Sequence, residues 1–169
     1  MSKLSRDIIG NNVRAIRKKL GLSLLNFSIL TELSKATIVN IETGKNGYNL
    51  NIIDNIIKFA RISLKELSDE NFVPQDDFRE RLLALYAKHN DFYAILNKKP
   101  EILYAINNKL IVGEFLASPK EIRDIRSYLQ TFGWDYNGTS ISIALKRMPN
   151  LITIEPHPTK KSTFVYSKK

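Results

Sequence analysis

A chain of 169 residues allows one domain or two small ones, and 43% hydrophobic with 25% charged residues is the balance of a folded protein, which excludes collagen, low-complexity and disordered classes. No apolar run nears the roughly 18 residues of a membrane-spanning helix, and the absence of cysteine excludes disulfides and thiolate metal sites. The 26 Lys and Arg against 17 Asp and Glu leave a net charge of +9, so an acidic polymer is a natural partner through steering and counterion release.

The opening residues, MSKLSRDIIGNN, lack the apolar stretch of a secretory leader, so a cytoplasmic protein without a membrane segment is expected. Ile9, Val13, Ile16 and Leu20 then recur at the spacing of one helical face, with Arg14, Arg17, Lys18 and Lys19 between them. Gly21 supplies the backbone freedom of a helix C-terminus, and Ser23 can cap a second helix carrying Leu25, Phe27, Ser28 and Leu30. Asn26 stands where a capping box would have Glu or Gln. A third segment, 34–45, opens on Ser34, turns Ile38 and Ile41 inward and closes on Gly44. Asn49 can cap a fourth helix with Leu50, Ile53, Ile56, Ile57 and Ala60 as its stripe, and Ile62, Leu64 and Leu67 follow. Four or five short helices of this kind can bury one small core.

Across residues 8–67 the combination of Arg17, the Leu22-Ser23 start, Ser34, Ile38, Ile41, Glu42 and Gly44 resembles the helix-turn-helix domain of the Cro and phage-repressor type, the xenobiotic-response-element family. Leu24 departs from the polar residue common at the start of helix two, Glu32 from the turn glycine and Tyr48 from a proline. The resemblance implies that helix 34–42 enters the major groove, which is about 12 Å wide and displays a distinct pattern for each base pair. Lys35, Ala36 and Asn40 would then face base edges, because Asn pairs with adenine and Lys with guanine acceptors. Ser34, Thr37, Lys45 and Asn46 are implied at phosphates, which set register without reading sequence. It also implies an ion pair between Arg17 and Glu42 joining helices one and three, and a homodimer on half-sites about one helical turn apart.

Acids, a proline and turn formers in SDENFVPQDD predict a linker at 68–77, between a domain at 1–67 and another at 78–169. Phe78, Leu82, Leu85 and Tyr86 form one stripe, Phe92, Ile95 and Leu96 a second, and Ile102, Leu103, Ile106 and Leu110 a third after Pro100. These helices either complete a core or pair two chains. SPKE at 118–121 is a capping-box pattern, with Ile122, Ile125, Leu129 and Phe132 behind it, and Thr139 can cap a helix ending before Pro149. Leu151–Glu155 and Thr163–Ser167 read as strands joined by a basic tip. Helices at 99–112, 119–132 and 139–148 followed by a hairpin at 151–167 are similar in order and spacing to a winged-helix domain. That similarity implies a second DNA surface of Thr139, Ser140, Ser142, Lys146, Arg147, Lys160 and Lys161.

The expected fold is therefore mainly α: a five-helix helix-turn-helix domain, then a winged-helix-like domain with a two-stranded β-hairpin. The expected function is a sequence-specific regulator of transcription bound to double-stranded DNA, with no cofactor, no metal and no catalytic residue. His89 and His157 stand far apart in the chain, and neither a Gly-rich phosphate loop nor an acidic metal cluster is visible. The alternative is an antitoxin-like module whose C-terminal half binds a partner protein, with DNA binding serving only autoregulation.

Overall fold

The computed structural model describes residues 3–45 and 49–169. Among them the chain is mainly helical, with ten α-helices and one three-stranded antiparallel sheet. It divides into two units, Met1–Lys98 and Lys99–Lys169.

In the first unit α1 (Lys3–Lys19) buries Ile9, Val13 and Ile16, the predicted stripe. It is followed by α2 (Leu24–Leu30), α3 (Lys35–Thr43), α4 (Leu50–Ala60), α5 (Leu64–Leu67), α6 (Phe78–Leu85) and α7 (Asn90–Leu96). The caps follow local chemistry. Ser23 Oγ accepts from the Asn26 N–H at 3.1 Å, Ser34 Oγ from Thr37 at 3.0 Å and Asn49 Oδ1 from Ile52 at 3.0 Å, each removal costing about 1 kcal/mol. Gly44 ends α3 at φ 61°, a left-handed conformation that a side chain would strain. Gly10 serves a different purpose. A Cβ there would overlap the Ile41 carbonyl, so its hydrogen lets α1 lie directly on α3.

One apolar core gathers Val13, Ile16, Phe27, Leu30, Ile38, Ile41, Ile53 and Ile56, and it continues through Phe78, Leu82, Tyr86 and Leu96. The domain boundary expected at 68–77 is thus corrected: the units part at Lys98 and Lys99, and α6 and α7 belong to the first. Segment 68–77 is an irregular loop tied down on α1. The Asn12 amide donates to the carbonyls of Leu67 at 3.0 Å and Asp69 at 2.7 Å, and Lys19 pairs with Asp76 at 2.6 Å. The Arg79 guanidinium, buried on α6, donates to the carbonyls of Leu20, Leu96 and Lys98. One cation thereby satisfies carbonyls left without partners at the ends of α1 and α7.

In the second unit α8 (Ile102–Ala105) runs into a π-helical stretch, Ile106–Ile111, and then a 3-10 turn, Phe115–Ala117. Next come β1 (Lys120–Glu121), α9 (Ile122–Gln130), α10 (Gly138–Lys146), β2 (Ile152–Pro156) and β3 (Phe164–Lys168). The sheet order is β1-β3-β2, with Lys120 opposite Tyr166 and Ile154 also opposite Tyr166 from the other side. Ile106, Leu110, Leu116, Ile125, Leu129, Ile141, Leu145, Ile152 and Tyr166 form its core.

Three expectations for this unit are corrected. The hairpin gains a third strand, because Lys120 and Glu121 pair with β3. That pairing also displaces the predicted capping box at SPKE: α9 starts at Ile122, and the carboxylate of Asp124 accepts from the Glu121 N–H at 3.1 Å. Sheet hydrogen bonds on one side outweigh a local helix signal. The cap of α10 is Asn137 rather than Thr139, its Oδ1 accepting from the Thr139 N–H at 2.8 Å.

Candidate nucleic-acid interface

Helix α3 has two faces of different character. Ile38, Ile41 and Glu42 are buried, while Lys35, Ala36 and Val39 are exposed and Thr37 and Asn40 are half-buried at the flanks. Such a nine-residue helix has almost no stability alone, so its position is decided by what its inner face meets. The inward Ile38 and Ile41 and two arginines gathered on Glu42 hold it. Arg17 Nε donates to Glu42 Oε1 at 2.6 Å and Nη2 to Oε2 at 2.8 Å, a bidentate pair that is buried on both sides. The remaining Arg17 Nη1 donates to the Leu22 carbonyl at 3.1 Å, and Arg14 Nη2 reaches the Glu42 carbonyl at 2.9 Å. Two fixed forks on a rigid helix leave α3 little freedom to rotate.

Each residue predicted to face DNA on α3 can now be placed. Lys35 and Ala36 are exposed, Asn40 is half-buried and Lys45 is exposed just past the helix end. The Ser34 hydroxyl is committed to its cap and lies 2.9 Å from the Thr37 hydroxyl, so these two groups share their hydrogen-bonding capacity. Asn46 and the departure at Tyr48 lie outside the described residues. Val39 is a residue that the sequence reading left out. It is 40% exposed between Lys35 and Asn40 on the outer face. The signal was available, since Ile38 and Ile41 turned inward place position 39 outward.

Basic residues behind this face are mostly engaged. Arg14 is tied to Glu42 and Lys19 to Asp76, whereas Lys18 is exposed. The Lys19 ammonium holds the Asp76 carboxyl below its ordinary pKa, chiefly through their hydrogen bond.

The second predicted surface breaks into parts. Thr139, Ser140 and Lys146 are exposed on α10 and Arg147 at its C-cap, with Ile143 45% exposed among them. Ser142 is not part of that face. It is half-buried, and its hydroxyl pairs with the Tyr166 hydroxyl at 2.9 Å, because its helical position meets the flank of β3. Lys160 is exposed but bound, its ammonium on the Glu121 carboxylate at the start of α9. His157 shares that carboxylate, with Nε2 at 3.3 Å from Oε1, while its Nδ1 accepts from the N–H groups of Thr159 and Lys160 at 3.1 Å each. The Lys160 hydrogen bond, aided by the charges of Arg123, Lys160 and His157, keeps the Glu121 carboxyl below its usual range against the opposing effect of burial. Lys161 is exposed at the hairpin tip without an ion pair to any described residue.

No group of three or more His, Asp or Glu side chains gathers at metal-binding distance among the described residues. No described helix is long and apolar enough to cross a membrane. Compared with known proteins, the chain matches no family model, no curated protein and no solved structure.

Proposed function

We propose that the protein is a sequence-specific regulator of transcription that binds double-stranded DNA, with α2 and α3 as a helix-turn-helix and α3 in the major groove. The observation that supports this most is the two-sidedness of α3: Lys35, Ala36, Val39 and Asn40 turned away from the core, and the opposite face held by Ile38, Ile41 and the Arg17–Glu42 pair. A rigid helix with a free polar face can keep hydrogen-bond donors in register with base edges, which a mobile one cannot. The charge of +9 adds the salt-dependent, sequence-independent part of the affinity. Lys146, Arg147 and Lys161 in the second, winged-helix-like unit extend that electrostatic contact.

The test is selection of bound duplexes from random DNA with the full chain, followed by anisotropy titration of the winning site and a scrambled one at several salt concentrations. A shared motif with a specific-to-scrambled ratio above about 1,000 is expected. Equal binding of both duplexes overturns the proposal.

A second reading, a protein partner docked on the second unit, draws on the exposed apolar residues Leu103, Val112 and Phe132 there. A stable heteromer recovered from native cells favours it, and DNA binding would then be autoregulatory.

A further inference from the structure

Behind the turn that joins α2 to α3 lies a cleft of about 420 Å³, within the size range of small-molecule sites. Its walls come from three places: Leu30, Thr31 and Glu32 at the turn, Asn55, Lys58, Phe59 and Arg61 at the end of α4, and Tyr86, His89 and Phe92 from α6 and α7. The floor is aromatic. Phe59 stacks on Tyr86 with ring centres 5.9 Å apart and planes 12° apart, and Phe92 leans on Tyr86 at 5.0 Å. The Tyr86 hydroxyl is used up on the Phe59 carbonyl at 2.9 Å, and Phe59 and Tyr86 are themselves buried, so the half-buried Phe92 supplies most of the ring surface open to the cleft.

The rim carries both signs of charge. Lys58 and Arg61 are exposed cations, Glu32 is an exposed anion, and none of the three forms an ion pair with another described residue, although they line one cleft. The half-charge at the C-terminus of α4 weakens the two cations without cancelling them. Backbone conformation marks the same place. Three non-glycine residues among those described are left-handed, Glu32 at φ 56°, Arg61 at φ 52° and Ser162 at φ 58°, and two of them line this cleft. Each stands where glycine or asparagine would cost less, and backbone held in such conformations gathers at ligand sites.

We propose that the cleft binds a small aromatic zwitterion of the free aromatic amino acid class. Its carboxylate meets Lys58 and Arg61, its ammonium meets Glu32, and its ring lies against Phe92 above the buried Phe59 and Tyr86. Opposite charges that are separate on the rim of an aromatic floor suit a ligand that carries both charges beside a ring. A ligand with one charge leaves one side of the rim unanswered. This site does not depend on the DNA reading, and the two fail separately.

The experiment uses the full chain with L-phenylalanine and L-tryptophan as probes. Phenylacetate, which lacks the ammonium, and phenethylamine, which lacks the carboxylate, are the controls. Titrations are followed by amide NMR shifts and calorimetry. Saturable binding of an amino acid is expected, with shifts centred on Asn55–Arg61 and His89–Phe92 and each single-charge control at least tenfold weaker. Glu32→Gln should remove the preference for the amino acid over phenylacetate, and Arg61→Asn combined with Lys58→Gln its preference over phenethylamine. Asparagine tolerates the left-handed backbone at position 61. Circular dichroism confirms that each variant is folded; should Glu32→Gln not be, Glu32→Gly relieves the backbone there and replaces it. No saturable binding, equal binding of the amino acids and controls, or preferences untouched by the substitutions would overturn the proposal.

Discussion

The two surfaces proposed to meet nucleic acid differ in where their charges go. On α3 the buried carboxylate of Glu42 faces inward and takes up Arg17, so the outer face keeps Lys35 and Asn40 clear of internal partners. In the second unit the carboxylate of Glu121 reaches the hairpin tip and takes up Lys160, with His157 on the same oxygen. One acid builds a platform beneath a face, and the other neutralises part of the face itself. A count of lysines therefore overstates the second surface, and substitutions at three positions separate the two roles.

The largest effect is expected from Glu42→Ala, which leaves the Arg17 guanidinium buried without its carboxylate. The loss should be about 3–5 kcal/mol in the stability of the first unit, measured by urea unfolding followed by circular dichroism. Trp134, the one tryptophan of the chain, lies in the second unit, and its fluorescence transition should stay in place. A shift of both transitions together would mean that Glu42 supports more than its own unit.

Next is Asn40→Ala, expected to cost about 1–3 kcal/mol on the selected duplex and to relax one base position, with folding unchanged. An equal loss on every duplex would make Asn40 a phosphate ligand instead.

The smallest effect belongs to Glu121→Gln. The folded state holds this carboxyl below its ordinary pKa, so between the two values the unfolded chain binds more protons. Its contribution is complete above the usual glutamate value, about 4.3, and is lost as pH falls through the lowered one. Between about pH 6 and pH 3 the Trp134 transition should weaken more in the wild-type chain than in the variant. Asp135 is also held low, first by its hydrogen bond from Arg126, and the difference between the two proteins removes that shared background. At neutral pH the variant releases Lys160, and its salt dependence on scrambled DNA should steepen by up to about one phosphate contact.

Much of the first unit was legible because its signals are local. Ser23, Ser34 and Asn49 cap the helices they precede, and the stripe from Ile9 to Leu20 is inward because period and burial agree. What escaped reading depends on partners distant in the chain. Segment 68–77 has the composition of a linker, and only the Asn12 amide and the Lys19 ammonium, more than fifty residues earlier, make it a loop of the first unit. Gly10 carries no sequence signal of its role, which depends on the Ile41 carbonyl lying against it. The winged-helix similarity put Ser142 on the second surface, yet Tyr166 on β3 claims its hydroxyl. The cleft behind the turn had no signal in the sequence beyond Glu32 standing in place of a glycine, because its residues come from three separate stretches.

By itself the sequence determined the helical class, the starts of α2, α3 and α4 and the two-sided character of α3, since periodicity and capping act over three or four neighbours. Only the tertiary structure decided where the units part, which capping pattern yields to a third strand and which cations remain available. Each of those outcomes is a competition between a local preference of about 1 kcal/mol and contacts made across the fold, and the sequence shows only the first competitor.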